Sequence, residues 1–113
     1  MSLPLELNCI VFGDDSRRIF PIEINGTKKV GDLKELMKDK KKPLFDHIPA
    51  DALDLFNVNF LVDGGLDDKL KQFRPEDEID RLLSNTVKRL KGVFGDPIDD
   101  HLHVIVVPPT AGE

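Results

Sequence analysis

The sequence predicts an α+β fold, a mixed sheet of about five strands packed on one main helix with a second helix beside it. Three observations carry this. The chain opens with two runs of period-two apolar alternation, two later stretches repeat apolar residues at helical spacing, and a closing run is apolar on both faces.

Leu5, Leu7, Cys9 and Val11 alternate with Glu6, Asn8, Ile10 and Phe12, and the polar members fade toward the end, as in a strand entering a core. Gly13-Asp14-Asp15-Ser16 is a dense turn signal. Ile19, Phe20, Ile22 and Ile24 follow as a second β-rich run, so the two strands form a hairpin. Pro21 lacks an N–H and puts the second strand at a sheet edge or at an irregularity. Asn25-Gly26-Thr27 breaks the run. Val30, Leu33, Leu36 and Met37 then recur at helical spacing, with Asp32 early and Lys38, Lys40, Lys41 and Lys42 late, as the helix dipole favours, and this amphipathic helix ends near Pro43.

After a loop over residues 43–51, Leu53, Leu55 and Phe56 predict a third strand, and Val58, Phe60, Leu61 and Val62 a short fourth one before Asp63-Gly64-Gly65. Pro75 followed by Glu76, Asp77 and Glu78 has the form of a helix first turn. Ile79, Leu82, Leu83, Val87, Leu90 and Phe94 continue it at helical spacing until Gly92, Gly95 and Pro97 stop it. Residues 101–107 are β-branched and apolar on both faces, the signature of a strand buried in mid-sheet, and Pro108 and Pro109 end it. A last strand of this kind lies centrally, beside the first, which makes the arrangement a ubiquitin-like β-grasp.

With 113 residues, residues 1–113 are expected to form a single domain. Sixteen Lys plus Arg against twenty-one Asp plus Glu give a net charge of −5, which disfavours nucleic-acid binding through overall charge and leaves room for a local basic stripe. The acidic stretches at Asp67-Asp68, residues 76–80 and residues 96–100 read as solvated loops and helix starts. One Cys excludes an internal disulfide framework. No apolar stretch approaches the roughly 20 residues of a membrane span, so no membrane partner is expected. The start Met1-Ser2-Leu3-Pro4-Leu5-Glu6 lacks the basic, apolar and small-residue regions of a secretory signal. Such a start fits a chain that stays inside, one that leaves by another route, or one in which residues 1–4 replace a removed leader.

Chemical candidates are few. Cys9 alternates with core residues, which predicts a buried, inert thiol rather than a nucleophile. His101 and His103 are two apart on a strand and share a face, where Asp99 or Asp100 could join them on a metal. The plainer expectation is a strand start whose imidazoles cap or face solvent, with no metal or other cofactor. Lys38, Lys40, Lys41 and Lys42, with Lys28, Lys29 and Lys34 nearby, make a positive field. It suits phosphate, an anionic lipid head group, a nuclear-import receptor or an acidic face of a second copy. The interleaved Asp32, Glu35 and Asp39 favour an ordinary solvated helix end, and no Trp or Tyr is present to stack bases. Gly64-Gly65 is internal, so the free Gly-Gly end of a conjugated modifier is missing.

Four ordered blocks carry a family resemblance over roughly residues 5–108: Leu7-Asn8-Cys9-Ile10-Val11-Phe12-Gly13-Asp14-Asp15, Val30-Gly31-Asp32-Leu33-Lys34, Lys40-Lys41-Lys42-Pro43-Leu44-Phe45-Asp46-His47 and His101-Leu102-His103-Val104-Ile105-Val106-Val107-Pro108. The sequence resembles the N-terminal domain of Crinkler effectors, in its fungal form. The resemblance implies a ubiquitin-like N-terminal module on modular secreted proteins of plant-associated oomycetes and fungi, which act inside host cells and often in the host nucleus. It implies that His101, His103, Val104, Ile105, Val106, Val107 and Pro108 mark the seam where a C-terminal effector domain is joined, a domain absent from this chain. Oomycete members carry a Leu-Phe-Leu-Ala-Lys translocation motif in the third strand; here Leu55 and Phe56 match it and Asn57-Val58-Asn59 departs from it.

The reading that follows is a non-catalytic N-terminal module that serves delivery into host cells and protein association, including a weak homodimer, for an effector domain. The alternative is a ubiquitin-mimicking adaptor that presents its sheet face to host ubiquitin-handling proteins. An enzyme is the third class.

Overall fold

The computed structural model describes residues 4–42 and 44–109. The expectations about a leader at residues 1–3, a helix stop at Pro43 and the chain end from Thr110 fall outside them. Strands β1 (Pro4–Val11), β2 (Phe20–Asn25), β3 (Asp54–Leu61) and β4 (His101–Val107) form one sheet in the order β2-β1-β4-β3. β1 runs antiparallel to β2 and parallel to β4, and β3 runs antiparallel to β4. The strand apolar on both faces is therefore central and lies beside the first, and Pro21, opposite Asn8, sits on the edge strand β2.

Each face of the sheet has its own core. Leu7, Cys9 and Val11 of β1, Ile22 and Ile24 of β2, Leu55 of β3 and Val104 and Val106 of β4 pack under helix α1 (Val30–Lys40), which buries Val30, Leu33 and Met37. On the other face Ile10, Phe56, Val58, Leu102 and Ile105 pack under helix α2 (Leu66–Gln72) through Leu66 and the following Phe73. The Phe56 and Phe73 rings meet edge-on at 5.5 Å. Asp67 ties α2 to the β1–β2 turn, taking the Ser16 backbone N–H at 2.8 Å and its hydroxyl at 3.0 Å.

Three expectations are corrected. The third and fourth strands are one, β3, because nothing between Phe56 and Phe60 turns the chain; a register shift between Asn57 and Phe60 absorbs the irregularity and leaves four strands among the described residues. The helix expected from Pro75 to Phe94 does not form. Residues Pro75–Asp77 and Ile79–Arg81 are single 3₁₀ turns, Leu82 is extended, Leu83 is outside any helix, and helix α3 spans only Leu90–Phe94. Leu82 packs on the α2 side and Leu83 on the α1 side, so the adjacent leucines are placed as strand residues are. Leu82 bridges Phe56, and the Leu83 N–H donates to the Leu55 carbonyl at 2.8 Å, so a segment expected as helix borders β3.

The third correction is helix α2, for which the sequence reading has only a solvated loop or helix start at Asp67-Asp68. Its signals are Asp63, whose carboxylate takes the Gly65 N–H at 2.9 Å, and Leu66, Leu70 and Phe73 at i, i+4 and i+7.

The start of α1 is closed by chain from the other end of the sequence. Val30 N–H donates to the Lys88 carbonyl at 3.0 Å and Gly31 N–H to the Thr86 carbonyl at 2.9 Å, so two amides that a helix start leaves orphaned are satisfied. Leu90 N–H returns to the Lys28 carbonyl at 2.8 Å and Lys91 N–H to the Gly26 carbonyl at 2.9 Å. A Cβ on Gly26 would lie 3.0 Å from that of Lys91, so a larger residue there would press the two segments apart by a few tenths of an ångström.

Candidate functional site

The seam residues occupy β4 with Pro108 directly after it. Residues Val104, Ile105 and Val106 are buried, pair with Cys9, Ile10 and Val11, and form the middle of the sheet. The strand does not alternate cleanly: Leu102 and Ile105 belong to the α2-side core, Val104 and Val106 to the α1-side core. His103 lies at that break, opposite the β3 irregularity. Its Nδ1 accepts the Asn8 backbone N–H at 2.9 Å and its Nε2–H donates to the Ile98 carbonyl at 2.8 Å, so the neutral ring stands in for a missing ladder rung. Burial pushes its pKa below the ordinary value, helped by the nearby His101 and opposed by the Ile98 carbonyl and Asp99. His101 Nδ1–H donates to the Asp99 carbonyl at 3.0 Å. Both rings are thus held by backbone groups, and the described residues gather no group of three or more His, Cys, Asp or Glu that could hold a metal ion.

Cys9 is fully buried, its Sγ 3.7 Å from the Leu7 carbonyl, and burial drives the thiol pKa far above the usual range. A thiol that keeps its proton is neither nucleophile nor metal ligand.

The lysines expected as one field divide between the two ends of α1, roughly 16 Å apart for eleven residues. At the C-terminal end, Lys42 pairs with Asp39 at 3.4 Å and Lys41 Nζ lies 4.3 Å from the Phe20 ring centroid, while Lys40 is exposed and Lys38 half-buried. Lys34, between the ends, is buried. Lys28 and Lys29 at the N-terminal end stand instead beside Lys88, Arg89 and Lys91. Lys88, Arg89 and Lys91 fall in the stretch expected as helix, where the sequence alone gives them no neighbour at the start of α1. The run Lys88-Arg89-Leu90-Lys91 is a visible signal, but its neighbour is set only by the fold.

Leu55 and Phe56, the partial translocation match, are both buried on β3, Leu55 in the α1-side core and Phe56 in the α2-side core. Neither side chain is presented at the surface.

Among the clefts on the described surface, two lie beside groups considered above. One, of about 490 Å³, lies between the β1–β2 turn and α2, with Phe12, Leu70 and Phe73 as its apolar floor and Asp14, Lys71 and Arg74 at its rim. The other, of about 310 Å³, lies under α3 and has His103 at its wall, with Asn57, Arg81, Phe94 and Ile98. Arg81 there is held by Glu78 at 2.8 Å, and His103 by the contacts above.

In a comparison of folds, the chain superposes over 100% of its length on 98% of a ubiquitin-like domain from tubulin-binding cofactor B, with a TM-score of 0.58 and 16% identity. The fold is therefore ubiquitin-like, α+β, with a mixed sheet. In sequence, it is 31% identical over 108 residues to Crinkler effector protein 1 of Rhizophagus irregularis, covering 95% of this chain and 22% of that protein. The chain spans about a fifth of the length of this curated relative. Residues 5–107 match the family described as the Crinkler effector protein N-terminal domain, from the second residue of β1 to the last of β4. The two-faced sheet, its central His-Val strand and this match place the chain in that family: it belongs to the Crinkler effector N-terminal domains.

Proposed function

We propose that this domain is a non-catalytic N-terminal module that serves delivery and protein association for an effector domain joined beyond β4. The observation that carries the reading is the extent of the family match. It covers the sheet from β1 to the end of β4 and stops where Pro108 and Pro109 end the strand, while the curated relative is several times longer. A non-catalytic role is supported by the state of the candidate reactive groups, since the Cys9 thiol is buried and both β4 imidazoles are bound to backbone.

Delivery on this reading uses the folded surface, since Leu55 and Phe56 are core residues. Association uses the edge strand β2, whose only evident protection among the described residues is Pro21, together with the lysine end of α1 that Lys41 brings against Phe20. The mimicry alternative requires an open sheet face, and the centre of each face here is covered, by α1 on one side and by α2 with Phe73 on the other. Secretion and a destination in the host cell or its nucleus come with this reading.

The test is a reporter joined after Pro109 and expressed in the native microbe, scored in host cells with and without this domain ahead of it. Arrival that depends on the domain supports the role. Equal arrival of the bare reporter contradicts it.

A further inference from the structure

We propose that the ribbon made by residues 26–31 and 86–91 is a peripheral docking surface for an anionic phospholipid bilayer. This goes beyond the delivery role and does not depend on it. The two segments run antiparallel, with Lys29 opposite Arg89. Val30 and Leu90, the next residue in each, are fully buried, so the Lys29 and Arg89 side chains point outward. Lys28, Lys88 and Lys91 flank them, and all five cations are exposed. Among the described residues none of the five is ion-paired, whereas Arg17, Arg81 and Lys42 are. The ribbon itself carries no carboxylate; next to it, Asp32 accepts the Lys29 backbone N–H at 3.0 Å, and Asp32, Glu35 and Asp51 line the cleft at the Lys29 side. Five cations thus gather at one pole of a protein whose net charge is −5, so an anionic surface can be approached favourably from this side.

The chemistry favours a lipid surface over other polyanions. Val87, at the tip between the cations, is 66% exposed, an apolar residue placed to touch the headgroup layer. The chain has no Trp or Tyr to stack bases. The two clefts that border the ribbon take one of its cations each, Lys29 and Lys88, so no groove fixes the register of a peptide. Four of the five cations are lysines, point charges that suit a disordered array of headgroups better than bidentate recognition. The expectation of no membrane partner concerned a spanning segment; a charged ribbon needs none. Each cation near such a surface strengthens binding about fivefold.

The experiment is co-sedimentation of the 113-residue chain with vesicles of phosphatidylcholine alone and with about a quarter phosphatidylserine. The proposal expects binding to the anionic vesicles only, lost as salt rises from about 0.1 M toward 0.5 M. It expects the triple variant Lys29→Gln, Arg89→Gln, Lys91→Gln to bind at least tenfold more weakly with an unchanged circular dichroism melt. The control variant Lys38→Gln, Lys40→Gln, Lys42→Gln, with the same change of charge at the other end of α1, should bind as the parent does. No binding to anionic vesicles, or equal losses in the two variants, overturns the proposal. Tighter binding to polyglutamate or to a single-stranded oligonucleotide than to the vesicles overturns the choice of a bilayer.

Discussion

The Nδ1 atom of His103 accepts the backbone N–H of Asn8 at 2.9 Å, so an imidazole occupies the place of a carbonyl between the two central strands. The bond needs the neutral ring, because a protonated Nδ1 would point a hydrogen at another donor.

Stability should therefore depend on pH through His103. Its native pKa is depressed below 6.5, so the native state resists protonation that the unfolded chain accepts. This contribution is fully present above pH 6.5 and is lost as pH falls through the interval between 6.5 and the lower native value. The thermal midpoint should hold steady from about pH 8 to 7 and decline below it. His103→Asn should melt lower at pH 8 with a flatter decline between about pH 7 and 5. The same slope in both proteins would show that another group carries the dependence.

A carboxylate in the middle of β4 should unfold the domain. Val104 and Val106 are fully buried in the core under α1, and an unpaired charge there costs several kcal/mol against a domain stability of about 5–15 kcal/mol. Val104→Asp and Val106→Asp should each give poorly dispersed NMR spectra and no cooperative melt. Normal dispersion in either would show that the strand is not central.

The segment after Arg81 is extended, and proline can report it. Leu83 is paired to Leu55 through its own N–H, and no backbone hydrogen bond from the Ser84 N–H is found among the described residues. Ser84→Pro should cost less than about 1 kcal/mol, whereas the same change inside a continuous helix costs about 3 kcal/mol. A chemical denaturation curve separates the two.

Self-association should be weak and salt-sensitive, with β2 supplying backbone and the adjacent Lys40, Lys41 and Lys42 supplying charge. Sedimentation velocity over a concentration series should show a dimer at high concentration that recedes with salt and on changing the three lysines to Glu. Monomer alone throughout would count against association through this edge.

The β1–β2 hairpin and the central place of β4 beside β1 are legible because these strands carry local patterns, whereas the place of β3 beside β4 is not. Alternation, a proline at the edge and a doubly apolar run each reflect where a strand sits in the sheet. The second half of the chain was less legible. Leu82 and Leu83 satisfy helical spacing with Ile79 and Leu90, yet Ile79 and Val87, which such a helix would bury, are 60% and 66% exposed. The extended path instead places Leu82 in the core under α2 and Leu83 in the core under α1, contacts that join residues far apart in sequence. The basic ribbon was hidden for the same reason, since Lys29 and Arg89 become neighbours only through the fold.

On the reading proposed above, this domain works through its ends and its β2 edge, with both sheet faces closed. An NMR titration of the labelled domain with a protein that binds ubiquitin through its open sheet face tests that most directly. The predicted result is no saturable shift at the amides of Ile10, Phe56, Val58 or Ile105, which α2 and Phe73 cover. A saturable shift centred on those residues would contradict it and restore the mimicry reading.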